Sequence, residues 1–326
     1  MRSPYSFAKM AAATSAALMC FIVGLGVARA DDVVRVGKAV ASVFDFVPVE
    51  VGIDRGIFKQ HGIEVQNFNF SGAAKMHQAM VAKSIDVGLG GGPELAFIEK
   101  GEPVKGVGAM MGATTLVLLV RQDPALKTLA DLKGKKVSVS TVGSLTEWLA
   151  YRFSRAQGWG AKGVDVVALG ALSARISALR AGQTEAGIID IVHATVLQQE
   201  GVGRIMLHFS SVVPDFITHV IFARDDFMAD HPKELRAFLA GWFDTIAYMR
   251  KHKAETVAIA AKVMHQPDDV VATAYDATMP FFSDTGRFEP KPLAVLRSSF
   301  VEMKWLPEAP DMKTLYTEKF LPHGGS

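Results

Sequence analysis

From Val33 onward the chain alternates short apolar, β-branched runs with stretches of helical period, and nothing else in it restricts the possible folds as strongly. "VVRVGK" (33–38) reads as a strand. After the loop "AVASVFDF", the segment "VPVEVGIDRG" reads as a helix with Pro48 in its first turn and Gly56 at its end. "IEVQNFNF" (63–70) is the next strand, Ser71 is placed to cap the helix "AAKMHQAMVA", and "IDVGLG" follows as a strand. A second series repeats the rhythm: "KKVSVS" (135–140), the loop "TVGS", the helix "LTEWLAYRFSRAQG", then "VDVVALG", "LSARISALRAG", "EAGIID" and "VHATVLQQEG". Parallel strands need a crossover long enough for a helix, so this order predicts an α/β fold with largely parallel sheets.

The two series echo each other. "AMVAKSIDVG" and "SALRAGQTEAG" each end a helix on small residues, turn, and enter a strand at an acidic residue, Asp86 and Glu185, 99 residues apart. One βαβ building block used in each of two lobes accounts for this. The apolar strands "LVLLV" (116–120) and "HVIFA" (219–223) bracket the second series and are candidates for crossings between lobes. From Pro232 the chain turns helical, through "DMKTLYTEKFL", and this tail is expected to pack around the first lobe. With 326 residues, 49% of them hydrophobic, two lobes are more natural than one.

The first thirty residues differ. Arg2 and Lys9 precede an uncharged apolar run, and Ala28 and Ala30 in "ARA" place small residues where a signal peptidase reads them. The expectation is an export signal over residues 1–30, cleaved to leave Asp31 first. A retained anchor is the alternative, since the run approaches spanning length. Cys20, the only cysteine, falls inside this segment behind the bulky Met19, so the mature chain is expected to lack disulfides, thiolate metal sites and a lipid-anchor cysteine. Without Arg2, Lys9 and Arg29 the balance is 32 basic to 33 acidic residues, with no basic block to suggest nucleic acid.

The stretch "VGLGGGPELAF" (87–97) is a glycine-rich turn between strand and helix. A dinucleotide fingerprint needs a third glycine where Pro93 stands, and no Walker lysine follows. "GVGAMMG" (106–112) has one residue too many and reads as leading into a strand. Two readings of the first turn remain: a tight bend, or a helix start at Gly92 and Pro93 whose free amides favour negative charge, with glycines that let a ligand approach. Similar junctions at "SGAAK" (Ser71, Gly72), at "TVGSLTE" (Thr141, Gly143, Ser144) and after "VFDF" favour one shared crevice at the carboxyl ends of strands. "SLTE" (Ser144 to Glu147) has capping-box spacing.

Catalytic signatures are missing: there is no G-x-S-x-G elbow, no H-E-x-x-H, and no metal-ligand spacing of histidines and carboxylates. His77 and His193 read as surface or supporting residues. Asp190 and His193, after "IID", suit ligand hydrogen bonding or an exposed loop pair equally. Asp45 suits a helix cap or a ligand contact, with the cap slightly favoured. Phe44, Phe46, Trp148 and Phe216 could wall an aromatic pocket, although Trp148 on a helix reads as core.

Taken together, "GIFKQHGIEVQ", "AMVAKSIDVGLGGGPELAFIEKGEPVKGVG", "LVLLVRQDPALKTLADLKGKKVSVSTVGS" and "ALRAGQTEAGIID" resemble the solute-binding proteins of bacterial ABC importers for nitrate, aliphatic sulfonates and taurine, over nearly all of the mature chain. "LADLKGKKVSV" and "GIFKQHGIEV" are the most specific pieces. The resemblance implies a type II periplasmic binding fold, with two lobes, two crossover hinge strands and hinge closure on a ligand. Lobe 1 would hold residues 31–118 plus 223–326, and lobe 2 residues 119–222. It implies a monomeric periplasmic receptor without cofactor, metal or catalytic residue, handing a small organic, preferentially anionic solute to a membrane permease. By position, the ligand contacts would be Phe44, Asp45, Ser71, Gly72, Gly91, Gly92, Thr114, Thr141, Gly143, Ser144, Asp190 and His193.

Anion binders often add a cation to the cleft, and these loops offer only Lys75 and Lys38, so an aromatic or heterocyclic solute also fits. The competing classes are an exported enzyme and a receptor feeding a sensor kinase. A related branch binds pyrimidine precursors, which stays an alternative; the cysteine-dependent cytosolic synthases that share the fold are at odds with a cysteine-free, exported mature chain.

Overall fold

The computed structural model describes residues 32–322; the expected export segment, Cys20 included, lies outside them. Ten strands are formed: β1 (Asp32–Lys38), β2 (Ile63–Asn69), β3 (Val87–Gly91), β4 (Val104–Met111), β5 (Val117–Arg121), β6 (Lys136–Val139), β7 (Asp165–Ala168), β8 (Ala186–Ile189), β9 (Gly203–His208) and β10 (His219–Arg224). The helices of the two series are α1 (Val47–Asp54), α2 (Ile57–Gln60), α3 (Ala73–Val81), α4 (Leu95–Glu99), α5 (Leu145–Ala156), α6 (Leu172–Arg180) and α7 (Ile191–Gln199). The tail adds α8 (Asp225–Asp230), α9 (Pro232–Lys251), α10 (Lys253–Met264), α11 (Asp268–Thr278) and α12 (Pro290–Glu302).

The strands form two five-stranded sheets, ordered β2-β1-β3-β10-β4 and β7-β6-β8-β5-β9. In each, three parallel strands are continued by one antiparallel strand and a further edge strand. The antiparallel strand is the one reached just after the chain crosses: β5 in the second sheet, β10 in the first. The echo between the series has a physical basis. Asp86 accepts a hydrogen bond from the Arg35 amide at 2.9 Å, and Glu185 accepts one from the Lys136 amide, also at 2.9 Å. Each acid thus pins the entry of the third strand to the central strand beside it.

Local chemistry explains most boundaries. Pro48 sits in the first turn of α1, and Gly56 follows with φ +67°, a conformation in which a side chain would be strained. β1, β3, β8 and β10 read as near-continuous apolar runs because helices cover both faces of their sheets. α9 packs on α1 and α2, as expected of a tail around the first lobe, but α11 also reaches α7 of the second.

Four readings need correction. All of "GVGAMMG" but its last glycine lies within strand β4, where Gly106 makes room for Phe288 and Val220. "GRIMLH" is an additional strand, β9, at a half-buried edge. "DMKTLYTEKFL" forms only a 3-10 turn, Met312–Thr314. Gly72, not Ser71, is the N-cap of α3, and no side chain caps it.

Candidate functional site

In each sheet the carboxyl ends of the central parallel strands point toward the other sheet. The residues at these ends, Ala39, Gly91, Ser140 and Asp190, meet around one cavity of ≈ 50 Å³. This is where open α/β sheets place ligands. Its remaining wall includes Val40, Val43, Asp45, Phe46 and Glu94 on the first-sheet side, and Ser144, Thr146 and Arg175 on the second. His219, the first residue of β10, is also part of the lining. A groove of ≈ 260 Å³ adjoins it at Val40, walled by Phe70, Leu172, Ile176, His193 and Met264.

Apolar groups supply most of the cavity's surface, but several buried charged side chains reach it. Arg175 is 2% exposed, donates from one terminal nitrogen to the Ile188 carbonyl at 2.6 Å, and leaves its Nε without a partner. Burial lowers this guanidinium to about 10, against the opposing charge of Asp190, so it remains cationic at neutral pH. Asp190 caps α7 by accepting from the His193 amide at 3.1 Å, and its carboxylate also meets His193 Nδ1 at 2.9 Å. Burial pulls the His193 imidazole down, but the charge and hydrogen bond of Asp190 outweigh it and leave the pKa raised.

Asp45 lies in the 3-10 turn Phe44–Phe46 and caps no helix, since Phe46 is the N-cap of α1. Burial, then the charge of Asp190, pushes its carboxyl up to about 7. His219 Nδ1 is 3.4 Å from it, out of line for a hydrogen bond, and burial drives that imidazole down to about 3.

Of the residues expected to contact ligand, Asp45, Gly91, Ser144 and Asp190 line the cavity, and His193 lines the groove. Phe44 does not: it is 2% exposed in the core, edge-on to Tyr275, and Phe46 takes the place at the cavity. Trp148 stacks on Phe216 with centroids 4.3 Å apart, away from the cavity. Thr114 is buried in the crossing segment, its hydroxyl accepting from the Leu116 amide at 3.1 Å. The Gly92 amide donates to the Thr218 carbonyl at 3.0 Å, so the glycine turn does not offer it to a solute.

The other expected residues lie on the seam where the lobes meet. A Cβ on Gly72 would fall 2.2 Å from Thr141 Cγ2, one on Gly91 2.7 Å from Leu145 Cβ, and one on Gly143 2.5 Å from Phe97. Ser71 is approached in the same way by Gly170. The Ala74 amide donates to Thr141 Oγ1 at 3.3 Å across this seam. The start of α5 is internally satisfied: Ser144 accepts from the Glu147 amide at 3.3 Å, and Glu147 returns to the Gly143 amide at 2.7 Å instead of to Ser144 as in a full capping box.

Arg175, Glu94, Thr146 and His219 are cavity residues that sequence reasoning missed. Arg175 did leave a signal: Leu172, Arg175 and Leu179 recur at i, i+3 and i+7 on one helix face, which puts a cation on the buried side. Among the described residues no group of three or more His, Cys, Asp or Glu could hold a metal ion, and no helix is long and apolar enough to cross a membrane.

Two sheets of matching topology, joined by two crossings and meeting at the carboxyl ends of their central strands, define a two-lobed periplasmic-binding-protein fold. The chain belongs to the NMT1/THI5-like family, which matches residues 43–256. A Haemophilus influenzae protein named for thiamine biosynthesis is 25% identical over 254 residues, covering 74% of this chain and 78% of its own. Among solved structures, the alkanesulfonate-binding protein SsuA of Xanthomonas axonopodis pv. citri, bound to MOPS, shares the fold at TM-score 0.75 and 17% identity, over 87% of this chain and 96% of its own. The periplasmic nitrate-binding protein NrtA of Synechocystis PCC 6803 does so at 0.72 and 14%, over 88% and 86%. The desulfurization enzyme DSZB matches at 0.62 and 14%, over 89% and 97%, so the fold also carries an enzyme.

Proposed function

We propose that the chain is a periplasmic receptor, exported by a signal cleaved after Ala30, that closes two lobes on one small organic anion and delivers it to an ABC permease. The lobes would comprise residues 31–118 plus 223–326 and residues 119–222, working as a monomer without cofactor. The observation that carries this reading is Arg175. A guanidinium buried in a cavity between two lobes, with an unpartnered Nε and no direct ion pair among the described residues, feels the charge of nearby Asp190 but keeps hydrogen-bonding capacity for an acidic group brought in by a solute. Two proteins that share the fold, an alkanesulfonate binder and a nitrate binder, take anions, which supports the same reading here.

The contacts would be Arg175 to the anion, Ser144 and Thr146 to its oxygens, Asp45 and Asp190 at its flanks, and Gly91 with Phe46 against its body. Closure would follow from the seam: contacts such as Ala74 to Thr141 and the close approach at Gly72 exist only when the lobes meet, and a solute touching both walls shifts the population toward that state.

A thermal-shift screen of the mature protein against sulfonates, nitrate, aromatic carboxylates and pyrimidines tests this. A solute at a hundred times its Kd should add about 2.7 kcal/mol of stability. An unchanged melting temperature with all four classes would refute the solute range, and chemical conversion of a bound compound would favour the enzyme reading. Permease delivery, as against a sensor kinase, is tested by uptake in a strain deleted for this protein.

A further inference from the structure

We propose that Glu94, braced from behind by His77, is a solute-contacting carboxylate, so that the anion held against Arg175 must also present a hydrogen-bond donor to the first lobe. This rests on the receptor reading above and adds to it a requirement on the solute.

Glu94 follows the glycine run of "GLGGGPE", and its side chain folds back beneath that run. A Cβ on Gly90 would sit 2.0 Å from Glu94 Oε2, and one on Gly91 3.0 Å from Oε1. The glycines therefore clear space for this carboxylate. Glu94 is 2% exposed, yet it lines the cavity beside Gly91. Burying an anion there requires support, and His77 on α3 supplies it.

His77 Nε2 is 3.2 Å from Glu94 Oε2, and Nδ1 is 2.7 Å from Glu102 Oε2. Carboxylates only accept, so the ring satisfies both by donating from both nitrogens, as an imidazolium. Phe97 and Phe222 meet the ring edge-on, with centroids at 4.8 Å and 5.0 Å, and fix its plane. The two hydrogen bonds outweigh burial and raise this histidine to about 9.

With Oε2 engaged by His77, Oε1 is the acceptor left for the cavity. Asp45 is a less selective neighbour, because with its pKa near 7 it can accept or donate. The cavity thus has a polarity: an acceptor wall at Glu94 on the first lobe, and a cation at Arg175 on the second. A solute spanning it needs an acidic group and, on the opposite side, an amine, amidine or similar N–H donor.

The test is calorimetric titration of the mature protein with isosteric pairs in which an amine is replaced by methyl: β-alanine and butyrate, 3-aminopropane-1-sulfonate and butane-1-sulfonate, 4-aminobenzoate and 4-methylbenzoate. The amine member of at least one pair is expected to bind ten-fold or more tightly. Glu94→Gln should bring that ratio to near one with the melting temperature within a few degrees of wild type, and Asp45→Asn should keep most of it. His77→Gln should weaken the preference without changing the affinity of the methyl member. Equal binding within every pair, a preference that survives Glu94→Gln, or an equal loss of both members in that variant would overturn the proposal while leaving an anion receptor in place. If no member of any pair binds, the anion reading itself fails and this one falls with it.

Discussion

Gly91→Ala separates the closing of the lobes from the stability of either. Gly91 has φ −87° and ψ 150°, so alanine adopts its backbone without strain. On its own lobe the added methyl meets Glu94 Oε1 at 3.0 Å, the end of a side chain that can give by a few tenths of an ångström. Across the seam it meets Leu145 Cβ at 2.7 Å, an atom fixed to the start of α5, where ordinary contact is 3.4–4 Å. The closed form must therefore open by the better part of an ångström at this point. Overpacking of this kind costs about 1–3 kcal/mol, which corresponds to about a 5- to 150-fold weaker Kd. The solute-free protein avoids the clash by standing open, and loss of a glycine from the unfolded chain should raise its stability by about 0.4–1 kcal/mol. Urea unfolding of the free protein and titration with any solute found by the screen give the two numbers. Leu145→Gly in the same molecule removes the opposing Cβ and should restore affinity, which also excludes displacement of Glu94 as the cause. A Kd within two-fold of wild type, or a fall in the free protein's stability as large as the fall in binding, would refute closure at this seam.

Further outcomes follow from the same geometry. Arg175→Met should weaken anion binding by about 1.5–3 kcal/mol, the worth of a charged hydrogen bond, and leave the free protein as stable as wild type or more so, measured by titration and thermal melting; unchanged affinity would remove Arg175 from the site. Because the Asp45 carboxyl is raised to about 7 in the fold, the native state holds its proton where the unfolded chain has lost it, so stability should fall as pH rises from about 4 to 7. Asp45→Asn should flatten that part of the profile. His77, raised to about 9, stabilises fully below its ordinary pKa near 6.5, and that contribution should be lost as pH rises through 9, visible as the midpoint of its ring resonance.

The architecture was legible because it is written in periodicity. Strand and helix runs appear in order along the chain, and the shared position of Asp86 and Glu185 marked the repeated block before its hydrogen bonds to the central strands were seen. What failed locally failed for local reasons. β9 opens on Gly203 and Arg204 and is half-buried at an edge, so its apolar run is only Ile205 to Leu207, shorter than those of β5 and β10. Gly106 of β4 was hard to place because one of the side chains it makes room for, Phe288, lies far along the chain.

The site was harder to read than the fold. Strand ends pointed to a shared crevice and the family resemblance named residues for it, of which Asp45, Gly91, Ser144 and Asp190 line the cavity. They said nothing of side chains arriving from elsewhere: Arg175 comes from the middle of α6, and His219 from the returning strand β10. The glycine turn was legible as a place of close approach, but what approaches is Glu94, Leu145 and the Ile217 carbonyl of the chain itself.

The central claim, that the cavity between the lobes captures one anionic solute unchanged, is tested most directly by native mass spectrometry of the mature protein incubated with the strongest compound from the screen. The account predicts a single 1:1 complex that releases the compound chemically intact on denaturation and is lost in Arg175→Met. Recovery of a converted product, or an undiminished complex in that variant, would contradict it.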